Sequence, residues 1–417
     1  MRRTPALFAA ICALLAILLV SEAAQAATRE QLCSALQARL VHGGGGASGL
    51  FVVDGETGQP VCARAAKRQR PLASNMKLFT TSTALARLGP AARIATTVTT
   101  DGAVDRNGVL HGSIYLVGGG DPALGTPAFY NRFLGGLGTN LFLLKRQIRE
   151  AGIRSVTGRL YADDSVFDRL RGVADSGYAT SSYIGPLSGL SLNSGYSSAS
   201  GRGFASDPAK TAAATLARAL RSAGVQVSAK VALGAAPPSG TEIASVESPP
   251  LTEIVNTTDV YSHNFFAEML IKLLGARFGG AGTTAAGAEV VERFARAHSS
   301  GVHAIDGSGL TRGNRASPAQ VVALLESMRE TAVGDEFIQD LALTGHEGTV
   351  ADRMRGTAAY GRCRTKTGTI SAVSNLSGYC FNRSGKVMIF SILMASVRDL
   401  SLAHLEQDQI AAEIAGY

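Results

Sequence analysis

The sequence predicts an α/β protein in which an antiparallel sheet is flanked by helices, with a second, mainly β block in the middle of the chain. Three observations carry this. Cys363 to Ile370 and Ser374 to Cys380 alternate with period two and read as a hairpin, with Val387 to Ala395 as a third strand. Helical patterns stand before and after these strands. From about Ile94 to Glu247 the character changes to short strands, many glycines and isolated helices.

In order, Arg2-Arg3 precede an apolar run from Pro5 to Val20, and Ala24-Gln25-Ala26 closes it with small residues. This is the pattern of a secretory signal over residues 1–26, cleaved after Ala26. A membrane anchor is the rival, but the run is short for a bilayer span. Hydrophobic residues make up 46% of the 417, enough for sizeable cores, and the 48 glycines with no Trp point to many turns. A net charge of +8 on an exported protein favours loose association with anionic wall polymers or membrane surfaces. The export signal and the lack of a dense Lys/Arg run disfavour nucleic acid. No C-x-x-C or H-E-x-x-H occurs, so no metal or other cofactor is expected.

Leu32, Leu36 and Leu40 place a helix over Thr28 to Leu40, and Val41 to Gly49 reads as a flexible glycine linker. His42-Gly43-Gly44-Gly45 imitates a lipase oxyanion loop, but the chain has no G-x-S-x-G. Leu50 to Val53 and Pro60 to Ala63 read as strands around a turn. A helix then opens at Ser74 and stops at Gly89-Pro90. Within the middle block, strands are expected at Thr96 to Thr100, Ser113 to Val117 and Val156 to Tyr161, and a helix at Lys210 to Ala223. Gly118-Gly119-Gly120-Asp121-Pro122 reads as a turn, and Ser248-Pro249-Pro250 ends the block. Helices follow at Phe265 to Leu274, capped by Gly275, at Thr284 to Ala297 and at Ala319 to Met328. The last, Leu400 to Ala415, presents Leu402, Leu405, Ile410 and Ile414 to a core.

Three short motifs carry chemistry. In Ser74-Asn75-Met76-Lys77 the hydroxyl and the amine lie three residues apart, hence on one helical face. A serine needs an adjacent base, and a lysine serves once burial or nearby positive charge lowers its pKa. The plain alternative is a capping serine and a solvated lysine. Ser262-His263-Asn264 offers a hydroxyl to relay a proton and an amide to orient the lysine or the substrate. Ser191-Leu192-Asn193 has the same spacing but no helix directly behind it. Lys366-Thr367-Gly368-Thr369 lies on the first hairpin strand, where an extended peptide can add by backbone hydrogen bonds. There Lys366 supplies a positive charge for a carboxylate, and Gly368 clears the approach.

In this order, on an exported chain, the motifs match the set of penicillin-binding proteins and class A β-lactamases. Together with Leu116 to Pro122, Asn264 to Leu270, Asp306-Gly307-Ser308-Gly309-Leu310 and Arg362 to Thr369, the chain from about Leu50 resembles the D-alanyl-D-alanine carboxypeptidases/endopeptidases of peptidase family S13, the class C low-molecular-mass penicillin-binding proteins. The resemblance implies a β-lactamase/transpeptidase-like domain, residues 27–93 and 248–417, interrupted by an inserted domain over 94–247. It implies hydrolysis of peptidoglycan stem peptides, inhibition by β-lactam antibiotics and a periplasmic location. It further implies catalysis by Ser74, Lys77, Ser262 and Asn264, an oxyanion hole from the Ser74 and Thr369 N–H groups, and carboxylate binding by Lys366 with Thr367 or Thr369. Arg312 would hold an anionic stem side chain such as diaminopimelate, Asp164 its amine, and Ser371 is the lesser candidate there. Two departures stand out: His263 replaces the family's usual Asp, and the inserted block is short. The rival readings are a β-lactamase or esterase, for which no E-x-x-L-N-like stretch supplies a deacylating water, and a non-catalytic wall-binding protein, which would not need all the motif residues.

Of five cysteines, Cys12 lies in the signal, and the other four allow three connectivities or four free thiols. A hairpin turning between Ser371 and Ala372 sets Cys363 opposite Cys380 and Lys366 opposite Ser377. Cys33 and Cys62 then pair by elimination.

Overall fold

The computed structural model describes residues 28–417, so the signal and its cleavage point lie outside the described residues. The first helix, α1, covers 28–44. Strands β1 (Gly49–Asp54) and β2 (Pro60–Arg64) follow, then a 3₁₀ turn at Ala73–Asn75 that leads into α2 (Met76–Leu88). The glycine run does not begin a linker at Val41. Its first residues finish α1, and a Cβ on Gly44 would meet Met394 Cγ at 2.6 Å. Small residues there let the helix lie directly on the sheet.

The middle of the chain builds β3 (Ala95–Thr100), β4 (Ile114–Gly118), α3 (Pro127–Phe133), α4 (Phe142–Glu150), β5 (Leu160–Asp163), α5 (Pro208–Ser222), β6 (Val231–Leu233) and β7 (Thr241–Glu247). Its main sheet has the order β6-β5-β4-β3-β7, parallel across β6, β5 and β4 and antiparallel elsewhere. The strand expected over Val156 to Tyr161 is broken in two, because Gly158 turns back to bond the Gly112 carbonyl. A core of its own joins Val98, Leu116 and Leu160 to Leu144, Ile148 and Leu216 of α4 and α5. The block is β-rich with packed helices. Helices α3 and α4 escaped the sequence reading, since each is short.

After the block come α6 (Leu251–Val260), α7 (Asn264–Phe278), α8 (Thr284–Ala297), α9 (Pro318–Arg329) and α10 (Gly334–Gln339). Then follow β8 (Ala342–Leu343), β9 (Cys363–Ile370), β10 (Val373–Phe381), β11 (Val387–Ala395) and α11 (Leu400–Gly416). Gly275 does not end its helix. It lies within α7, and a Cβ there would meet Gly287 N of α8 at 2.8 Å, so it is small to admit the neighbour.

The large sheet has the order β8-β9-β10-β11-β1-β2 and is antiparallel throughout. Strands from both ends of the chain meet where β1 pairs with β11. One face packs on α2, α7 and α9 through residues such as Phe79, Phe266, Leu325 and Tyr379. The other packs on α1 and α11 through Leu36, Leu40, Phe390, Ile410 and Ile414. Leu405 is not in that core: it is 53% exposed, and Glu406 is buried in its stead. The carboxylate is tolerated because Arg39 and His42 of α1 bond it at 3.2 and 2.8 Å.

In the hairpin, Lys366 faces Ser377 and Cys363 faces Cys380. Disulfides join Cys363 to Cys380 and Cys33 to Cys62. The short β8 pairs only with Arg364 and Thr365, leaving the edge of β9 from Lys366 onward without a strand partner among the described residues.

Candidate active site

Ser74 sits in the 3₁₀ turn, and α2 starts two residues later, so Lys77 falls in its first turn. Lys77 is fully buried. Its Nζ lies 3.1 Å from Ser74 Oγ, 2.8 Å from Asn264 Oδ1 and 2.8 Å from the Ser308 carbonyl. The last two groups only accept. A neutral amine therefore gives its two N–H bonds to them and turns its lone pair toward the serine hydroxyl. Asn264 is held in the matching orientation, because its Nδ2 donates to the Tyr183 carbonyl at 3.1 Å. Burial, then the positive charge of Lys366, pushes Lys77 down to about 7, against the pull of Asp259, Glu268 and Asp306.

Asn75 is a positioning residue that sequence reasoning missed. Its Nδ2 donates to the Lys366 carbonyl at 2.9 Å, and its Oδ1 accepts from Ser377 Oγ at 2.8 Å. Asn375 of β10 donates to the Pro71 and Leu72 carbonyls at 3.0 and 2.7 Å. These bonds lock the serine turn onto β9. Gly368 serves that docking: a Cβ there would lie 3.0 Å from Ser74 N, Asn75 N and the Leu72 carbonyl. Lys366 is fully buried, with Nζ 3.1 Å from the Thr367 carbonyl, and burial lowers it to about 8.

The Asp306-to-Leu310 loop supplies the third wall. Glu268 Oε1 accepts from Gly307 N and Ser308 N at 3.1 and 2.7 Å, and Asp306 accepts from Gly309 N, Thr311 N and Asn314 Nδ2. Both carboxyls are buried and pushed up by burial, and Asp306 pushes Glu268 up further. Glu268 follows Asn264 by four residues, one helical turn, so α7 delivers the amide and this clamp on one face. The spacing was a readable signal. A third buried acid, Asp259 near the end of α6, is raised to about 6 by burial, held back by Lys366.

Ser74, Ser262, Asn264, Arg312, Thr367, Thr369 and Ser371 all line one groove of about 970 Å³. Ser262 adopts φ 56°, a left-handed conformation uncommon for serine and frequent at functional sites. His263 caps α7, its Nδ1 accepting from Phe266 N at 3.4 Å, and burial lowers it to about 4, so the position is neutral where the family commonly has an acid. Arg312 is exposed and donates to the Ser371 carbonyl at 2.5 Å. Asp164 must be corrected: it does not line the groove but is buried in the block, bonded to Arg171 at 3.1 Å and Ser188 at 2.9 Å. Asp175 lines the groove in its place. Ser191-Leu192-Asn193 lies apart, with Asn193 Oδ1 accepting from Thr126 N.

Comparison with known proteins gives the family and the fold. The model of the D-Ala-D-Ala carboxypeptidase 3 (S13) family matches residues 32–203 and 201–415. A D-alanyl-D-alanine carboxypeptidase of Actinomadura sp. (strain R39) is 30% identical, over 89% of this chain and 82% of its own. Penicillin binding protein 4 (dacB) of Haemophilus influenzae shares the fold with a TM-score of 0.75 at 19% identity, covering 92% of this chain and 99% of its own. A penicillin G-acylated predatory endopeptidase of Bdellovibrio bacteriovorus does so with a TM-score of 0.51 at 20% identity, covering 88% and 90%.

Proposed function

The chain belongs to the D-Ala-D-Ala carboxypeptidase 3 (S13) family and is a serine-type D-Ala-D-Ala carboxypeptidase, and on that premise we propose that it cleaves peptidoglycan stem peptides through an acyl-enzyme on Ser74. The carrying observation is the buried Lys77 amine, bonded at once to Ser74, Asn264 and the Ser308 carbonyl. Ser74 attacks the carbonyl of the penultimate D-Ala while Lys77 takes its proton. Ser262 passes a proton to the leaving amine, and the acyl group then moves to water along the reverse path. The Ser74 and Thr369 N–H groups hold the oxyanion. Lys366, with Thr367 or Thr369, binds the terminal carboxylate, and the open β9 edge takes the stem as an added strand. We infer that the same groove takes D-Ala-diaminopimelate cross-links, giving endopeptidase activity as well. Release of D-Ala from a pentapeptide and of monomers from cross-linked dimers, followed by chromatography, tests both. No release from either substrate would refute the proposal.

Residues 27–93 and 248–417 form the catalytic domain in this reading and 94–247 the inserted one. Export to the periplasm, cleavage after Ala26 and acylation by penicillins belong to the same proposal.

The two lysines set the expected pH dependence. Lys77 must be neutral to accept a proton, so kcat/KM rises with pH through about 7. Lys366 must be protonated to hold a carboxylate, so kcat/KM falls above about 8. A narrow bell is expected, its limbs belonging to the coupled pair. A flat profile from pH 6 to 9, with the protein folded throughout, would contradict these roles.

Arg312, beside the hairpin turn, is assigned to an anionic stem side chain, and Asp175 across the groove to the amine of the same residue. Because Arg312 is exposed, water screens it, and Arg312→Ala is expected to cost only about fivefold in kcat/KM on a diaminopimelate peptide. The amidated analogue should lose nothing. Equal losses on both peptides would remove Arg312 from recognition.

A further inference from the structure

A second cavity, of about 370 Å³, opens beside the first, and Tyr183, Ser262 and Asn264 line both. Tyr183 stands between them, 74% exposed, with its carbonyl fixed to Asn264. The far walls come from the inserted block: Phe129 and Phe133 of α3, Tyr196 and Phe204. Their rings pack in sequence, with centroids 5.0 Å apart for Phe129–Phe133, 5.8 Å for Phe129–Tyr196 and 4.7 Å for Tyr196–Phe204. Phe133 remains 45% exposed. A cavity of this volume is within the about 300–1,000 Å³ range of small-molecule sites, which are mostly apolar with a few placed polar groups.

Two observations decide what fits. No lining residue is an acid, a lysine or an arginine: the one imidazole, His263, caps α7 and is neutral. Arg132 lies over the Phe133 ring at 5.1 Å but is not among the lining residues. Ser194, in the wall, is buried and held at φ 52°, and its hydroxyl has no hydrogen-bond partner. A buried hydroxyl left unpaired is a cost that a ligand removes. Ser194 is among the lining residues, and no internal bond fixes its hydroxyl.

We propose that this aromatic cavity binds an N-acetylated sugar of the glycan strand to which the stem peptide is attached. This rests on the peptidase reading above. The charged stem residues suit Arg312 and Asp175 of the main groove. The sugar is the neutral part of such a substrate, with an apolar ring face and an acetamido group for aromatic contact and one hydroxyl. The stem allows the reach: at about 3.5 Å per residue, four units span up to about 14 Å from the scissile bond. The inserted block would thereby distinguish glycan-attached from free peptide.

Saturation-transfer NMR with the full mature protein and N,N′-diacetylchitobiose is the direct test. Transfer to the acetamido methyl protons is expected in the wild type and in Ser74→Ala, and its loss in Phe133→Ala and Ser194→Ala. Ser194→Ala deletes a hydroxyl that makes no internal bond, so it should leave folding intact. A parallel kinetic comparison uses disaccharide-pentapeptide against free pentapeptide. The wild type should favour the former by about three- to tenfold in kcat/KM, the scale of one aromatic contact, and Phe133→Ala should abolish that preference alone. Absence of transfer in the wild type, or transfer indifferent to both variants, overturns the sugar site. Transfer without turnover of either peptide would instead overturn the peptidase reading and leave the sugar site standing.

Discussion

Ser74→Ala is expected to abolish covalent labelling by a fluorescent penicillin and to lower peptide hydrolysis by about six orders of magnitude, the scale on which serine hydrolases lose activity when the nucleophile is removed. The other groove serine near the amine's partners, Ser262, is not bonded to Lys77, whose three described contacts are Ser74, Asn264 and the Ser308 carbonyl. It therefore cannot stand in as nucleophile. The fold should not change. The Ser74 hydroxyl meets the protein through Lys77, so its loss costs about 1 kcal/mol and the thermal midpoint should move little. Lys77, freed of that contact, keeps its bonds to Asn264 and Ser308. Intact-mass measurement after incubation with penicillin is the decisive readout. A stable penicilloyl adduct on Ser74→Ala protein would sink the assignment of the nucleophile.

The parts of this site that were legible in the sequence are those where a local pattern has one physical solution. A hydroxyl and an amine three apart in a helix meet, and period-two alternation with one turn fixes a hairpin register. Lys366 opposite Ser377, and Cys363 opposite Cys380, follow from that register. Illegible were features that depend on partners distant in sequence. Nothing near Asn75 reveals that it will bond Lys366 and Ser377, about three hundred positions away. Glu406 took the core place expected of Leu405 because α1 brings Arg39 and His42 to it. Asp164 reads as available in the sequence, but the fold closes Arg171 and Ser188 on it. In each case a buried polar group found its partner through the fold, and periodicity counts only apolar faces.

Lys77→Met separates the roles that one amine combines. Methionine matches the length and burial of the lysine stem, so packing in the first turn of α2 should survive. The Ser308 carbonyl and Asn264 Oδ1 lose their donor, at about 1–3 kcal/mol for groups left unsatisfied in a buried site. Near pH 8 the amine is largely neutral, so no full charge is removed there and the acids Asp259, Glu268 and Asp306 are little affected. Chemistry should suffer far more than stability. Loss of a general base lowers acylation by about 10²–10⁴-fold, and Ser74, still in place, reacts only through its intrinsic weak nucleophilicity. The pH profile discriminates the cause. If Lys77 is the base, the rise in acylation through about pH 7 disappears with it, leaving a slow reaction without that limb. Were the lysine only an electrostatic support, a rate defect would appear with the limb retained. Stopped-flow acylation by penicillin across pH 5.5 to 9, on protein whose melting curve is recorded at each pH, measures both. An acylation rate within about tenfold of wild type, short of the general-base range, would remove Lys77 from the role of base.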